Sequence, residues 1–393
     1  MKIAIFVVIS LFIILLAGIL PLNGSPVWYG QYLGLLLCLF VGISLFLWNF
    51  NPFLSIFTIL CVFSTFFITN ISPRAIILLI QLYLGYICAY GLSKFNQKQR
   101  KIVLRGILSL VFLQCFWLIL QLFNKDPIFK SLYNYNLAIV GLSGSKDQLG
   151  SFFALITPVL MNFHPLLIFV SIFGLVLSKS SFAFMAAIIG GLLYYRLLDK
   201  KKFKFLSLIL VVFGICFVLT YDKPKLADFG IRANVWNYSI KSVIKGNIYI
   251  EKNNMKVIVN TNPLFGYGFG NYLTIFPYVP QSEAQKYFNA KFQFNCITEK
   301  FTHAHNDFVE YFFELGWLGL FAMIGLVLNF IWGFIKSKKS PELILYFSSI
   351  VVYLLNSTGN FLSQMAMSGA FLIIFYGFYM GVRRENGQAT AAV

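Results

Sequence analysis

The sequence predicts an all-α polytopic membrane protein with about twelve transmembrane helices and one large, partly helical extracytoplasmic loop. Three observations predict it. Of 393 residues, 59% are hydrophobic and only 11% charged, against roughly a quarter charged in a soluble domain. The apolar runs have helical length, not the short alternating pattern of an outer-membrane barrel. Lysine and arginine recur in alternate loops, as they do on the cytoplasmic side of a membrane protein.

The spans fall at about 3–20, 31–48, 53–70, 75–92, 103–123, 149–162, 165–178, 180–195, 204–220, 307–335, 342–357 and 365–382. The first follows Met1-Lys2. A signal peptide is the alternative there, but the apolar stretch is too long for one and lacks a small-residue cleavage site before Pro21. The spans at 149–162 and 165–178, parted by Asn162-Phe163-His164-Pro165, are two crossings or one broken helix. Loop charge favours two. With the N-terminus inside, Lys94, Lys98, Arg100 and Lys101, then Arg196 with Lys200 to Lys202 and Lys204, then Lys336, Lys338 and Lys339, and finally Arg383 and Arg384 all fall inside. Eleven spans would put part of this charge on the wrong side.

The resulting units are residues 1–220 (nine helices), 221–306 (the outer loop), 307–383 (three helices) and 384–393 (an inner tail, irregular from Gly387). A formal charge of +18 would suggest nucleic acid for a soluble chain. Here the inner loops account for most of it, and no nucleic-acid partner is expected. The outer loop still carries ten basic residues against five acidic ones through Thr302. That is either a solvated basic surface or an attractor for anionic substrate or lipid headgroups. Cys38, Cys61, Cys88, Cys115 and Cys216 lie in apolar spans and Cys296 stands alone in the loop, so the cysteines read as small hydrophobes.

The chemistry-bearing residues gather where the loop re-enters the membrane, from His303 to Gly319. Asn306 or Asp307 suits a helix N-cap, and the acids after it suit the positive end of the helix dipole. Glu310 and Glu314, four apart, share a face. Glu314 lies two turns in, where a carboxylate is a functional candidate or half of an ion pair. His303 and His305 sit on opposite faces with no third ligand in view, which disfavours a metal site. His305 is either a satisfied structural imidazole or an acid/base group. Residues 231–245 place Ile231, Val235, Trp236, Ile240, Val243 and Ile244 near one helical face, an amphipathic pattern.

His305-Asn306, nine residues, then Gly316-x-x-Gly319 resembles the signature of the bacterial O-antigen ligase and O-antigen polymerase family. Arg232 and Trp236 resemble its R…W segment. Asn262-Pro263-Leu264-Phe265-Gly266-Tyr267-Gly268-Phe269-Gly270-Asn271-Tyr272 resembles its glycine-rich turn. Two positions depart from the family pattern. Lys146-Asp147-Gln148-Leu149 stands where the family often has Asn, and Ser181 stands where it often has Arg. Lys146 or Lys179 is then the candidate for the missing charge.

The resemblance implies a membrane glycosyltransferase at the periplasmic face of the bacterial inner membrane, with no metal or other cofactor. The donor would be a glycan on polyprenyl diphosphate. The acceptor would be a lipid A-core sugar for a ligase or a lipid-linked repeat for a polymerase. His305 and Glu310 would be catalytic, with Arg232, Lys146 and Lys179 binding diphosphate. His303, Asn306, Glu314, Trp236, Gly268 and Gly270 would support them. For Arg232 a snorkelling anchor, for the glycines a plain turn, and for Gly316 and Gly319 close helix packing are the bland readings. A transporter or flippase of lipid-linked glycans is the rival class. It would place charge at mid-bilayer, whereas the polar residues here cluster at the outer surface.

Overall fold

A computed structural model describes residues 4–5, 7–9, 11, 73–126, 139–143, 145–198, 224–252, 255–279, 303–360 and 366–391. The expected spans at 31–48, 53–70 and 204–220, and most of 3–20, lie outside the described residues. Within them the chain is mostly helical: α1 Pro73–Leu92, α2 Gln97–Leu122, α3 Lys146–Phe163, α4 Ile168–Ser178, α5 Ser181–Leu198, α6 Pro224–Lys245, α7 Tyr272–Ile275, α8 Asp307–Lys336, α9 Pro341–Asn356 and α10 Ala366–Ala391. One hairpin, β1 Asn247–Lys252 with β2 Met255–Asn260, is the sole sheet among them.

By length and composition, Gln97–Leu122, Ser181–Leu198 and Asp307–Lys336 are long and apolar enough to cross a membrane, and Pro165–Ser178 and Pro341–Asn356 are shorter apolar segments. The long helices show bare hydrocarbon outward, including Phe112 and Phe116 on α2, Met185 and Ile189 on α5, and Phe321, Leu328 and Trp332 on α8. Such a surface suits lipid and not water.

Helix α3 shows why its span is the least apolar to the eye. Every residue from Leu149 to Met161 is buried, so protein encloses the helix and polar groups find protein partners. Asn356 Nδ2 on α9 donates to Ser151 Oγ at 2.9 Å. The Thr157 and Ser171 hydroxyls meet at 2.6 Å beside the Phe153 carbonyl, one turn ahead of Pro158. Neighbouring hydroxyls are what make a proline tolerable inside a buried helix.

The question of one broken helix or two has a geometric answer. His164 is extended (φ −160°, ψ 135°), a 3₁₀ turn follows at Pro165–Leu167, and α4 folds back along α3. Thr157 meets Ser171, Gly174 meets the Phe153 ring, and Gly150 meets Ser178 and Ser180. Those pairs run in opposite directions along the two helices, so α3 and α4 form an antiparallel hairpin.

Helix α2 starts at Gln97 and not at 103. The reason is a reciprocal cap: Asn96 Oδ1 accepts from Gln99 N, and Gln99 Oε1 accepts from Asn96 N, each at 3.0 Å. Lys98, Arg100 and Lys101 therefore stand in the first turns of a helix. Arg100 is fully buried. It donates to Phe95 O, to both oxygens of Glu385 at 2.8 and 2.9 Å, and to Glu342 Oε2 at 3.0 Å. Arg384 Nη2 donates to Ser93 O at 2.7 Å, and Asn386 Nδ2 to Lys338 O at 3.0 Å. The basic stretches expected on one side, those near 94–101, 336–339 and 383–384, thus share one end of the bundle. Helix α10 continues through Glu385 to Ala391, beyond Gly387 where an irregular tail was expected.

Residues 221–306, the expected outer loop, contain α6, the hairpin and α7 among the described residues. In the hairpin Ile248 pairs with Val259 and Ile250 with Val257, and Ile248 is buried against the rest of the loop. The reading of the loop as partly helical did not place this hairpin. The signal was present as the alternation Ile248/Ile250 and Val257/Val259 around Asn253-Asn254.

Candidate active site

The opposite end of the bundle is built around the start of α8. Asn306 is the N-cap, its Oδ1 accepting from Val309 N at 3.1 Å. The Asp307 amide donates to Ser357 O at 3.0 Å, which fixes this start to the end of α9. Glu310 and Glu314 do share a face, and both are 2% exposed.

Glu310 spends its two oxygens on the preceding turn. Oε1 lies 3.2 Å from His303 Nδ1, and Oε2 accepts from Ala304 N at 3.1 Å. The imidazole that Glu310 meets in this contact is that of His303. His305 follows the clamped residues in a left-handed backbone, φ +51°. A non-glycine residue takes that conformation only when its surroundings impose it.

Helix α6 approaches from the side. Trp236 Nε1 donates to Ala304 O at 2.7 Å. Arg232, one turn earlier, donates from Nη1 to Gly359 O at 2.6 Å and sits 6.0 Å from the Phe182 ring. Its Nη2 is 3.8 Å from Asp147 Oδ2 in the first turn of α3. His305 lies within the fields of Arg232, Asp147 and His303. Burial first, and the Arg232 charge second, lower its pKa to about 4, so the ring is neutral and able to accept a proton near neutral pH. Arg232 thus lies near enough for its charge to act on the His305 imidazole.

Lys146 is exposed at the start of α3, beside Asp147. Lys179 is exposed too, in the left-handed residue that ends α4, and its neighbours Ser178 and Ser180 pack on Gly150. Both lysines therefore border the first turns of α3. Asp147 itself was not singled out from the sequence; its only signal was an acid next to a candidate lysine at a helix start.

The glycine-rich loop has a defined job. Helix α8 is broken at Gly316 (φ 62°, ψ −156°), and residues 263–268 fill the break. Tyr267 N donates to Phe313 O and Gly268 N to Glu314 O, both at 2.9 Å, while Trp317 N donates to Pro263 O at 3.0 Å and Leu318 N to Leu264 O at 3.1 Å. A Cβ on Gly266 would lie 2.6 Å from the backbone at Glu314 and Gly316, so close approach and φ +68° both demand glycine. The Gly268 amide is thereby taken by α8 and does not serve an anion. Gly270 turns the chain at φ +76° into α7, whose first amide, Tyr272 N, donates to Glu314 Oε1 at 3.0 Å. Glu314 is tied to a helix N-terminus and not to a basic side chain in that contact. Burial raises the Tyr272 phenol pKa well above its usual value, and Glu310 and Glu314 push the same way. Among the described residues, no group of three or more His, Cys, Asp or Glu could hold a metal ion.

A helical bundle with lipid-compatible outer faces thus carries a buried carboxylate, a neutral imidazole and a half-engaged guanidinium at one end. Residues 166–324 match the O-antigen ligase family model. The match supports a likeness to the O-antigen ligase and polymerase family over that stretch. That family implies membrane glycosyltransferase activity on lipid-linked glycans, of ligase or polymerase type. A search of curated proteins gives no match.

Proposed function

We propose that the protein is an O-antigen-ligase-type glycosyltransferase of the bacterial inner membrane, with about twelve spans, both termini cytoplasmic and residues 221–306 periplasmic. It transfers a glycan from polyprenyl diphosphate to an acceptor sugar, with lipid A-core as the favoured acceptor. The observation that carries this reading is the convergence of Arg232, Asp147 and His305 at one end of the bundle.

In the proposed reaction the diphosphate leaves the anomeric carbon as the acceptor hydroxyl attacks from the opposite face, inverting the configuration. Arg232 stabilises the charge growing on the leaving oxygen. A planar guanidinium suits this because it can grip two oxygens at once. Lys146 and Lys179, exposed near the first turns of α3, supply further positive charge. His305, neutral at working pH, takes the proton of the hydroxyl. Glu310 and Trp236 hold the backbone on either side of Ala304 and so set the position of that imidazole.

The test is complementation in parallel, in one host lacking its ligase and one lacking its polymerase. Restored long-chain lipopolysaccharide in the ligase-deficient host alone supports the reading; rescue of the polymerase-deficient host alone reassigns the acceptor. His305→Ala should lose on the order of a hundredfold or more in transfer, as removal of a general base does. Full activity in a normally inserted His305→Ala protein overturns the catalytic assignment.

A further inference from the structure

We propose that Asp147 is a positioning residue that competes with the diphosphate for Arg232 and so promotes release of the lipid product. The inference rests on the donor assignment made above. Its ground is the geometry of an ion pair that stays open. Arg232 is anchored through Nη1 on Gly359 O at 2.6 Å and stands on the Phe182 ring. Asp147 is anchored in the first turn of α3, where Ser145 Oγ caps Gln148 N at 3.2 Å. Each partner is held on its own helix, and Nη2 to Oδ2 remains 3.8 Å. A charge-assisted hydrogen bond closes to about 2.8 Å. The two side chains are 18% and 31% exposed, so an incoming anion can reach the guanidinium.

The carboxylate therefore neutralises Arg232 in the empty site without saturating its fork, and an anion with several oxygens can displace it. The reaction then changes the balance. Breaking the anomeric C–O bond leaves its electron pair on the diphosphate oxygen. The terminal phosphate passes from diester to monoester and gains up to one negative charge near neutral pH. The new charge appears beside Asp147, which repels it and offers Arg232 an alternative partner as the product leaves. Without Asp147, donor and product both bind more tightly, and product more so.

The experiment uses full-length protein in detergent with two probes, farnesyl diphosphate as a short prenyl diphosphate and inorganic pyrophosphate. Asp147→Asn is expected to tighten farnesyl diphosphate by about threefold to fivefold at low salt, the range a partly exposed charge supplies. The gain should shrink in 0.5 M salt (about a 4 Å screening length). In steady-state transfer the variant should show a lower KM for donor together with a lower kcat. Asp147→Ser, which also suits a first turn, should repeat the result if Asp147→Asn folds poorly. Unchanged or weaker binding in both variants overturns the role of Asp147 while leaving the donor reading intact, provided Arg232→Gln abolishes binding. Wild-type protein that binds neither probe, or Arg232→Gln that binds as well as wild type, overturns the diphosphate reading itself and this inference with it.

Discussion

Arg100 and Arg232 sit at opposite ends of the same bundle and differ in one respect. Arg100 has two carboxylates and a carbonyl around a fully buried guanidinium, with four donor contacts. Arg232 has one carbonyl, one carboxylate at 3.8 Å and a partial opening to solvent. With both terminal nitrogens bound and its unpartnered Nε buried, Arg100 fastens α2, α9 and α10 together and offers a ligand no accessible donor. An unsaturated fork contributes little to holding the fold and keeps its capacity for substrate. The contrast teaches that the arginine's remaining hydrogen-bond capacity, and not its presence, distinguishes a site from a clasp.

The largest effect that would break this contrast lies in activity. Arg232→Gln should lose on the order of a hundredfold in transfer, about 3 kcal/mol of transition-state stabilisation, with stability changed by under about 1 kcal/mol. Steady-state transfer and a melting curve on the same preparation read both. Arg100→Met should invert the pattern. It strands Glu342 and Glu385, and with Glu385 half exposed the loss is about 2–3 kcal/mol of stability, seen as a lower unfolding midpoint in detergent. Active-site chemistry at the far end should survive in whatever protein remains folded.

Gly316→Ala tests the scaffold of the Arg232 end. It places a Cβ at φ +62° against the Pro263 and Leu264 backbone, and at least about 1–2 kcal/mol of stability should go with it. Proteolysis should then cut first within residues 261–272. The smallest effect is in pH. The folded-state pKa of His305 is depressed to about 4, below its ordinary value near 6.5. Between those values the unfolded chain binds a proton that the native site refuses, so stability falls as pH drops from about 6.5 towards 4. Removing the Arg232 charge raises the His305 pKa. The acid limb of kcat/KM for Arg232→Gln should therefore move up by less than about one unit, and an unmoved limb would separate the two groups electrostatically.

How much of this was written in the sequence differs between the two ends. Hydropathy and loop charge located most of the described spans to within a few residues, because lipid burial and the helix repeat are local properties, but missed the polar first turns of α2 and the polar end of α10. The Asn306 cap was legible from residue type alone. Arg100 was not: it looked like any inner-loop cation, since its partners Glu342 and Glu385 are more than 240 positions away. At the other end the motif residues were legible through family resemblance, but their contacts were not. Glu310 sits five residues from His305 and seven from His303, and its contact with His303 is set by the tertiary fold and not by the spacing. The glycines of 266–270 read as a plain turn or as support for the site. The Gly268 amide is answered by Glu314 of a distant helix, while the Gly266 amide closes the turn on Asn262.

That repair of α8 has a practical corollary. The segment carrying His305 and Glu310 does not take its direction from the remainder of its own helix, since the axis is interrupted at Gly316 and four hydrogen bonds from residues 263–268 bridge the gap. Stretches 261–272 and 303–319 accordingly behave as one heritable module split in sequence. A chimera that imports either stretch alone would mismatch donors and acceptors at the seam, whereas an exchange that moves both together keeps the scaffold whole.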